Sequence, residues 1–600
     1  MKNKMIITLA LIAFFALASD MLASSKNEEI MRAMRDEINR SMKELKLEKL
    51  EKPYFIEYKL KISTEYNIVS TLGAIVNKDV SGLKTARLDV QVRVGNYKFD
   101  NTGFFDITSN FFGSTTNDDN ESYSNRVVSA DIDYNYLRRE LWLATDAAYK
   151  EAAETLSKKE ATIKNFIRRD TTWSFTEVPA TKYVDTFQLD EFNVEKFTDL
   201  VVEASKVFVN YPEITNSNAK IQYNPEIIYY MNSEGTEYIK HQSSVNFNAM
   251  GVGQSQNGMH VFDAYSFVAN NPNDKNFPTK KTVIEETKNI ANNIKTMLEA
   301  ETLEETYNGP ILFSNEAACV LIAQNFANNL IAQQEDRINR GVTLITSDEN
   351  SYKLFQTKIG GRVLPTFISM KDLPLTKEFQ GINLAGTYKF DDDGIKPEEL
   401  LIIDKGYLKT LFIDRIPIKR VRQSNGRKRN SSTCYSNLKM EVEKKYQTSD
   451  KKLKEEMIKL CKARELPYGI IVKKVISNDL ITGSNNIYAM TKGKMAYPRG
   501  TTLHSFSIYK LYTDGREEPV IGGALAGFVP NLFKEIIKTG DELYVLNTFS
   551  TPFSASLFSA SRANPVSIIA PALLFEEGEL RLIETDYQKT SILSNPLLNK

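Results

Sequence analysis

Histidine and cysteine are scarce: three of each in 600 residues. That leaves little material for a His- or Cys-rich metal centre. The three cysteines, Cys319, Cys434 and Cys461, cannot all pair within one chain, so an oxidising compartment could close at most one bridge. No two of them stand at the short spacing of a zinc site. Net charge is missing as well. Lys plus Arg total 76 and Asp plus Glu total 76, so no global field draws nucleic acid or an anionic membrane, and nucleic acid is not expected as a partner. There is no P-loop and no Gly-x-Gly-x-x-Gly between a strand and a helix, which removes nucleotide chemistry. Past the N-terminus, no apolar run reaches the ~18 residues of a membrane span.

What is present is an ordinary globular mixture, 42% hydrophobic and 25% charged, long enough to bury a core without disulfide staples. At the N-terminus Lys2 and Lys4 precede the apolar run Met5 to Ala18, and small residues follow at Ala18-Ser19 and Ala23-Ser24-Ser25. This is the layout of a secretory signal peptide, too short for the ~20 residues of an anchor. No Cys follows it, which argues against a lipoprotein. Residues 1–24 are therefore expected to be a signal peptide, and the mature chain to be periplasmic or secreted with no membrane span.

Apolar spacing predicts helices over Asn27–Leu50, from Leu137 to about Lys164, from Thr282 to about Leu303, from Asn315 to about Gln334 and over Ser449–Glu465. Alternation predicts strands at Phe55–Ile62 and Leu88–Val94, and residues 197–265 read as mixed strand, with a turn at Asn232-Ser233-Glu234-Gly235. Phe104 to Arg126, rich in Asn, Ser and Thr, reads as a long loop. After residue 305 short Gly-punctuated strands dominate. The expectation is an α+β chain: an N-terminal α/β domain over 25–304, then a sheet-rich domain over 305–600. The cationic runs Lys419 to Arg422 and Arg427 to Arg429 read as one solvated loop, with a phosphate or carboxylate site as the alternative.

The order of several segments resembles the TldD/PmbA family of zinc metallopeptidases, its secreted branch in particular. The segments are Gly386-Thr387-Tyr388-Lys389-Phe390-Asp391-Asp392-Asp393-Gly394, Leu401 to Lys409, Asp414-Arg415-Ile416-Pro417-Ile418 and Ser424-Asn425-Gly426-Arg427. Arg93 to Asn101, Leu141 to Asp146, Tyr512 to Glu518 and Ala570 to Glu577 add to them, so the resemblance spans about residues 50 to 582. It implies a curved antiparallel sheet in the C-terminal half and dimers of related subunits. In the paired cytoplasmic members of the family one subunit carries a His-Glu-x-x-x-His zinc motif and cleaves extended peptides, and the other lacks it. Such chemistry needs His ligands, a Glu base and an open coordination position.

Aligned by the apolar strand before it, that motif falls on Ser314 for the first His, Asn315 for the Glu and Cys319 for the second His. Both imidazoles and the base are missing. Glu316 sits one residue from the base position, a rotation of ~100° about a helix. The three histidines, His241, His260 and His504, include no pair at i,i+4 and stand far from Ser314 in sequence, so they read as surface or hydrogen-bonded side chains. Cys319 reads as a small core residue rather than a nucleophile, and Ser314 as a helix N-cap.

The chain therefore resembles the partner-type subunit. It is expected to bind a peptide or unfolded protein segment without a cofactor, as a homo- or hetero-dimer with a TldD/PmbA homologue that does the hydrolysis. Two alternatives stay open: an active metallopeptidase with an atypical zinc site from Cys319 and distant histidines, and an envelope binding protein unrelated to proteolysis.

Overall fold

Alternation from Phe55 to Ile62 buries one face of a strand and leaves the other half-exposed, and the N-terminal half is built on that pattern. In the computed structural model the described residues are 25–47, 50–105, 126–163, 172–185, 189–255, 258–332, 334, 337–338, 354–475, 502–503, 505–550, 563–582, 593 and 595–596. The predicted signal peptide at 1–24, His504 and nearly all of the predicted Phe104–Arg126 loop lie outside them.

The N-terminal half is a largely antiparallel sheet with helices packed on it. Its strands are β1 (Pro53–Thr64), β2 (Tyr66–Thr71), β3 (Ala74–Asp79), β4 (Lys84–Asn96), β5 (Ile214–Asn232), β6 (Glu237–Gln254) and β7 (His260–Ala269), with the main path running β7-β6-β5-β1-β4. Helices α1 (residues 25–44) and α2 (Tyr134–Ile163) bury Ile30, Met34, Ile38, Leu137, Leu141 and Leu156 against β1 and β4. Helices α3 (Val194–Lys206) and α4 (Lys280–Leu298) cover β5 to β7. The predicted turn at Asn232–Gly235 joins β5 to β6, and Gly235 supplies its positive φ of 96°. Residues 194–206 correct the strand reading of that region. Asn193 caps the Lys196 N–H and starts a helix whose short Val-rich face looks strand-like in isolation.

Among the described residues the C-terminal half contains two large sheets, mixed rather than purely antiparallel. One includes β8 (Tyr307–Phe313), which runs parallel to a later strand, Tyr468–Val475, and antiparallel to Leu573–Leu582. The other is built on β9 (Ile368–Asp372), β10 (Leu400–Asp404) and β11 (Asn437–Val442). With Tyr468–Val475 as β12, the chain continues through β13 (Ser505–Tyr512), β14 (Glu517–Ile521), β15 (Tyr544–Phe549), β16 (Pro565–Ala570) and β17 (Leu573–Leu582). β16 joins β11 in parallel and carries β15 as the end strand of the second sheet.

Between these two sheets lies the short helix α5 (Asn315–Leu321), whose residues Ala317 to Leu321 are all buried. The α-type hydrogen bonding ends there, while the helical run predicted to about Gln334 goes on to Leu330. A π turn at Ile322–Phe326 and a 3-10 turn at Ala327–Leu330 follow. Asparagines explain the break, since their amides compete for backbone groups. Asn325 Nδ2 donates to Phe528 O (2.9 Å) and Asn329 Nδ2 to Asn325 O (3.2 Å). On the outer face, α6 (Asp450–Ala463) packs Leu453, Met457 and Cys461 against Leu312, Ile471 and Leu574.

A buried ionic seam locks the two halves together. The Asp391-Asp392-Asp393-Gly394 turn presses on β1 and β6, where Asp392 pairs with Lys59 (3.0 Å) and Lys240 (3.1 Å) and accepts the Ser431 N–H (3.0 Å). Gly394 has φ +76°, and a Cβ there would meet Thr236 Cγ2 at 2.7 Å, so the approach to the β5–β6 turn needs glycine. Arg415 grips Glu234 with two bonds of 2.7 Å, and its guanidinium lies 3.9 Å from the Phe175 ring, which Arg93 also covers at 3.8 Å. The run Arg427 to Arg429 corrects the solvated-loop reading. Arg427 pairs with Asp372 with both side chains fully buried, Lys428 pairs with Asp393 (2.8 Å), and Arg429 donates to Pro565 O (2.7 Å). Only Lys419, Arg420 and Arg422 are exposed.

The seam sets a pH dependence. Burial pushes the Asp391, Asp414 and Glu316 carboxyls up. Against their own burial, Lys59 and Lys240 hold Asp392 down, and Arg93 holds Asp100 down. A raised carboxyl gives stability that is fully present below its unfolded value of ~4 and is lost as pH rises through its folded value. A lowered one gives stability present above ~4 and lost as pH falls through its folded value. Thermal unfolding followed from pH 8 to 3 is therefore expected to show a maximum at mildly acidic pH, about 5. A midpoint that climbs steadily from pH 5 to 8 would contradict this.

Candidate functional site

The junction between β8 and α5 is where the family's catalytic motif was aligned, and the structure places its three positions close together. Ser314 stands at the N-cap position with extended backbone, yet its side chain caps nothing, which corrects the N-cap reading. Its Oγ donates toward Val472 O (3.1 Å) and Lys473 O (2.8 Å) on β12, because the parallel β8–β12 pairing brings those carbonyls within reach. Asn315 holds its Oδ1 buried with no hydrogen-bond partner. Cys319 is fully buried, its Sγ facing the carbonyl oxygens of Tyr544 (3.7 Å) and Ala570 (3.8 Å). Burial pushes its thiol far up, so it stays protonated.

Of the three histidines, His241 and His260 lie among the described residues and His504 does not. His241 lies on β6 opposite Ile227, with its Nδ1 buried and unpartnered, and burial pushes its pKa down. That differs from the surface or hydrogen-bonded reading: the cross-strand neighbour is apolar. His260 opens β7 opposite Gln254. Gln254 lies thirteen residues along β6 from His241, or about 40 Å of strand at ~3.3 Å per residue, so the two imidazoles cannot share one ion. Among the described residues no group of three or more His, Cys, Asp or Glu could hold a metal. A hydroxyl spent on two carbonyls, an amide and a sealed thiol do not fit zinc, which needs accessible imidazole, thiolate or carboxylate donors.

All three cysteines are free and buried. A thiol titration of the native protein is expected to label none of them, and the same titration in denaturant to label all three. Rapid modification of Cys319 in the native state would contradict the assignment of its thiol to the core.

What surrounds Glu316 was not visible in the sequence. Strands β7, β12 and β15 and helix α4 bring Asp263, Tyr265, Lys474, Tyr544 and Glu286 into its electrostatic field. Lys474 pairs with Asp263 (2.8 Å), and Asn293 donates to the other oxygen of the same carboxylate (2.8 Å). Burial raises Glu316, Asp263 and Glu286 raise it further, and the Lys474 ammonium opposes them. Tyr265 is pushed up to about 12, chiefly by burial, and Tyr544 is raised likewise, so both phenols are neutral donors. These groups come from positions spread between 263 and 544, and no local motif marks them.

Two strand edges meet at this point. β7 ends the first sheet and β15 ends the second C-terminal sheet, each pairing with one neighbour among the described residues, and the two lie against each other. α5 packs on β15 and β12. The junction thus combines two strands that each end a sheet among the described residues, two neutral tyrosines, a carboxyl held above its usual range and one ammonium. Strand edges of this kind are the elements to which an extended chain can add through its backbone.

Residues 306–580 match the family model described as the PmbA/TldA metallopeptidase C-terminal domain. Three crystal structures share the fold over most of both chains. One, from Thermotoga maritima and described as a proposed modulator of a DNA gyrase, is 13% identical with a TM-score of 0.53, covering 88% of this chain and 96% of its own. TldE from Thermococcus kodakarensis is 12% identical with a TM-score of 0.51, covering 92% and 100%. A second proposed gyrase modulator, from Bacteroides thetaiotaomicron, is 12% identical with a TM-score of 0.54, covering 92% and 99%. Among curated proteins, no relative matches the chain. The match assigns residues 306–580, a little under half of the chain, to that domain family, and the three crystal structures show a shared fold.

Proposed function

We propose that this chain, a TldD/PmbA-type protein by its C-terminal domain, is an exported, non-catalytic subunit that holds an extended peptide or unfolded segment for a homologous metallopeptidase. The observation that carries the reading is the chemistry of the aligned motif positions. Ser314 is spent on the carbonyls of β12, Asn315 carries no charge, and Cys319 is sealed in the core with its thiol protonated. Export is supported by the signal-like run Met5 to Ala18 after Lys2 and Lys4.

In this reading the peptide lies extended along β7 and β15, exchanging main-chain hydrogen bonds along the edges where they end their sheets among the described residues. Tyr265 and Tyr544 donate to peptide carbonyls, and Glu316 and Lys474 lie beside the bound backbone. The homologue in the dimer supplies the His-Glu-x-x-x-His motif.

The test is anisotropy of a fluorescent unstructured peptide with the mature chain, followed by mass analysis of that peptide. Binding without cleavage is expected, with cleavage only after a motif-bearing homologue is added. Cleavage by this chain alone, abolished by a chelator, would overturn the proposal.

A further inference from the structure

A patch of cations without ion pairs among the described residues stands on three loops anchored around the buried Phe326. The Phe326 ring contacts Phe355 (5.2 Å between centroids) and Phe533 (4.8 Å), so Lys358 and Lys534, each close in sequence to one of those rings, emerge from one aromatic cluster. Arg420 reaches the same place from its own loop. Its Nη1 donates to Ile359 O (2.8 Å) and lies at the limit for Thr357 O (3.5 Å), the carbonyls on either side of Lys358. The Ile418 N–H bonds to Val421 O (2.9 Å), closing the tight turn that displays Lys419 and Arg420, and Arg422 follows it, exposed. Leu354, Ile359, Val421 and Leu532 anchor all three loops on the same core.

Among the described residues, none of Lys358, Lys419, Arg420, Arg422 and Lys534 forms an ion pair. Lys358 instead bonds the neutral Asn531 Oδ1. Burial, and then the neighbouring Lys534 ammonium, push Lys358 down from its ordinary value. Surface cations elsewhere find carboxylates across elements, as in Lys280 with Asp199, Lys371 with Glu441 and Arg464 with Glu576. Within the described stretches 354–361, 418–422 and 530–535, Glu535, exposed beside Lys534, is the one carboxylate. In a chain of zero net charge, this local excess is not a by-product of composition.

We propose that this surface is a docking site for an acidic segment of a partner polypeptide. Arg420 is oriented by the carbonyls it holds through Nη1, leaving Nε and Nη2 for the two oxygens of a side-chain carboxylate. A lipid surface is disfavoured because none of the large exposed apolar side chains lies on these three loops, and interfacial binding uses such wedges. The inference does not depend on the peptide-holding edges at β7 and β15.

The test uses the full mature chain and a fluorescent Glu-rich peptide at low salt, with its Gln counterpart as control. Binding of the Glu peptide alone is expected. It should weaken about tenfold or more in the triple variant K358Q/R420Q/K534Q and again in ~0.5 M salt. Arg420→Gln alone serves if the triple variant fails to fold, with a several-fold loss expected. Reversal of Lys451 and Lys452, exposed on α6, should leave binding unchanged. Unaltered binding in the patch variants, equal loss in the α6 variant, or co-sedimentation with phosphatidylglycerol vesicles in place of peptide binding would each overturn the proposal.

Discussion

Replacing Asp392 by Asn is expected to destabilise the protein by about 3–5 kcal/mol, the usual cost of removing one partner of a buried ion pair. The amide keeps the shape of the side chain but leaves two ammonium groups, Lys59 and Lys240, without a counterion. Their side chains are 14% and 13% exposed and that of Asp392 4%, so water can repay little of the loss. The seam would lose its tie between β1, β6 and the Asp391–Gly394 turn. Equilibrium unfolding in urea measures the change. Adding Lys59→Met and Lys240→Met to Asp392→Asn removes the stranded charges and is expected to recover part of it. A loss below about 1 kcal/mol for the single variant would show that the seam is solvated and contributes little.

Arg415→Met is expected to cost a comparable amount, about 3–5 kcal/mol, by a different route. The arginine side chain is fully buried. It satisfies both oxygens of Glu234, donates through Nε to Thr176 O (2.8 Å) and stacks on Phe175. Methionine fills much of the volume but leaves Glu234 with the Tyr97 hydroxyl (2.6 Å) as its remaining partner. Because Phe175 is also covered by Arg93, the loss should spread to the Arg93–Asp100 pair. Double-mutant cycles between Arg415 and Arg93 should therefore show coupling above the ~0.5 kcal/mol of independent sites. Strict additivity would contradict a shared ring.

Local periodicity was enough for the elements that bury one face. The steps Leu137, Leu141, Ala144 and the alternation from Phe55 to Ile62 each report burial within a few residues of themselves, and the structure has α2 and β1 there. Residues 194–206 were hidden because Val201-Val202 and Val207-Phe208-Val209 read as strand, while the deciding signal, one Asn193 cap, is a single bond. The helix after Asn315 leaves α geometry although apolar spacing continues through Phe326 and Leu330, because asparagine amides break the backbone pattern. Arg427 to Arg429 was misread for the opposite reason. A charge run is usually solvated, and the carboxylates that bury this one, Asp372 and Asp393, stand 55 and 35 residues away.

The junction was legible in identity and not in surroundings. Ser314, Asn315 and Cys319 could be named from the strand before them. The groups around Glu316 could not, since Asp263, Lys474 and Tyr544 meet there only through sheet topology. The same holds for the tie between Lys59 and Asp392, which spans 333 positions. Long-range ion pairs leave no local pattern, because each member looks like an ordinary surface charge until its partner arrives.

Metal content tests most directly whether the β8–α5 junction holds a zinc ion. The chain, purified without chelators or a polyhistidine tag, would be incubated with excess zinc, passed through a desalting column and analysed by elemental mass spectrometry. Zinc far below one atom per chain is expected, with Cys319 still unreactive toward thiol reagents. Retention of about one zinc per chain, lost on Cys319→Ala or on substitution of His241, His260 or His504, would contradict this.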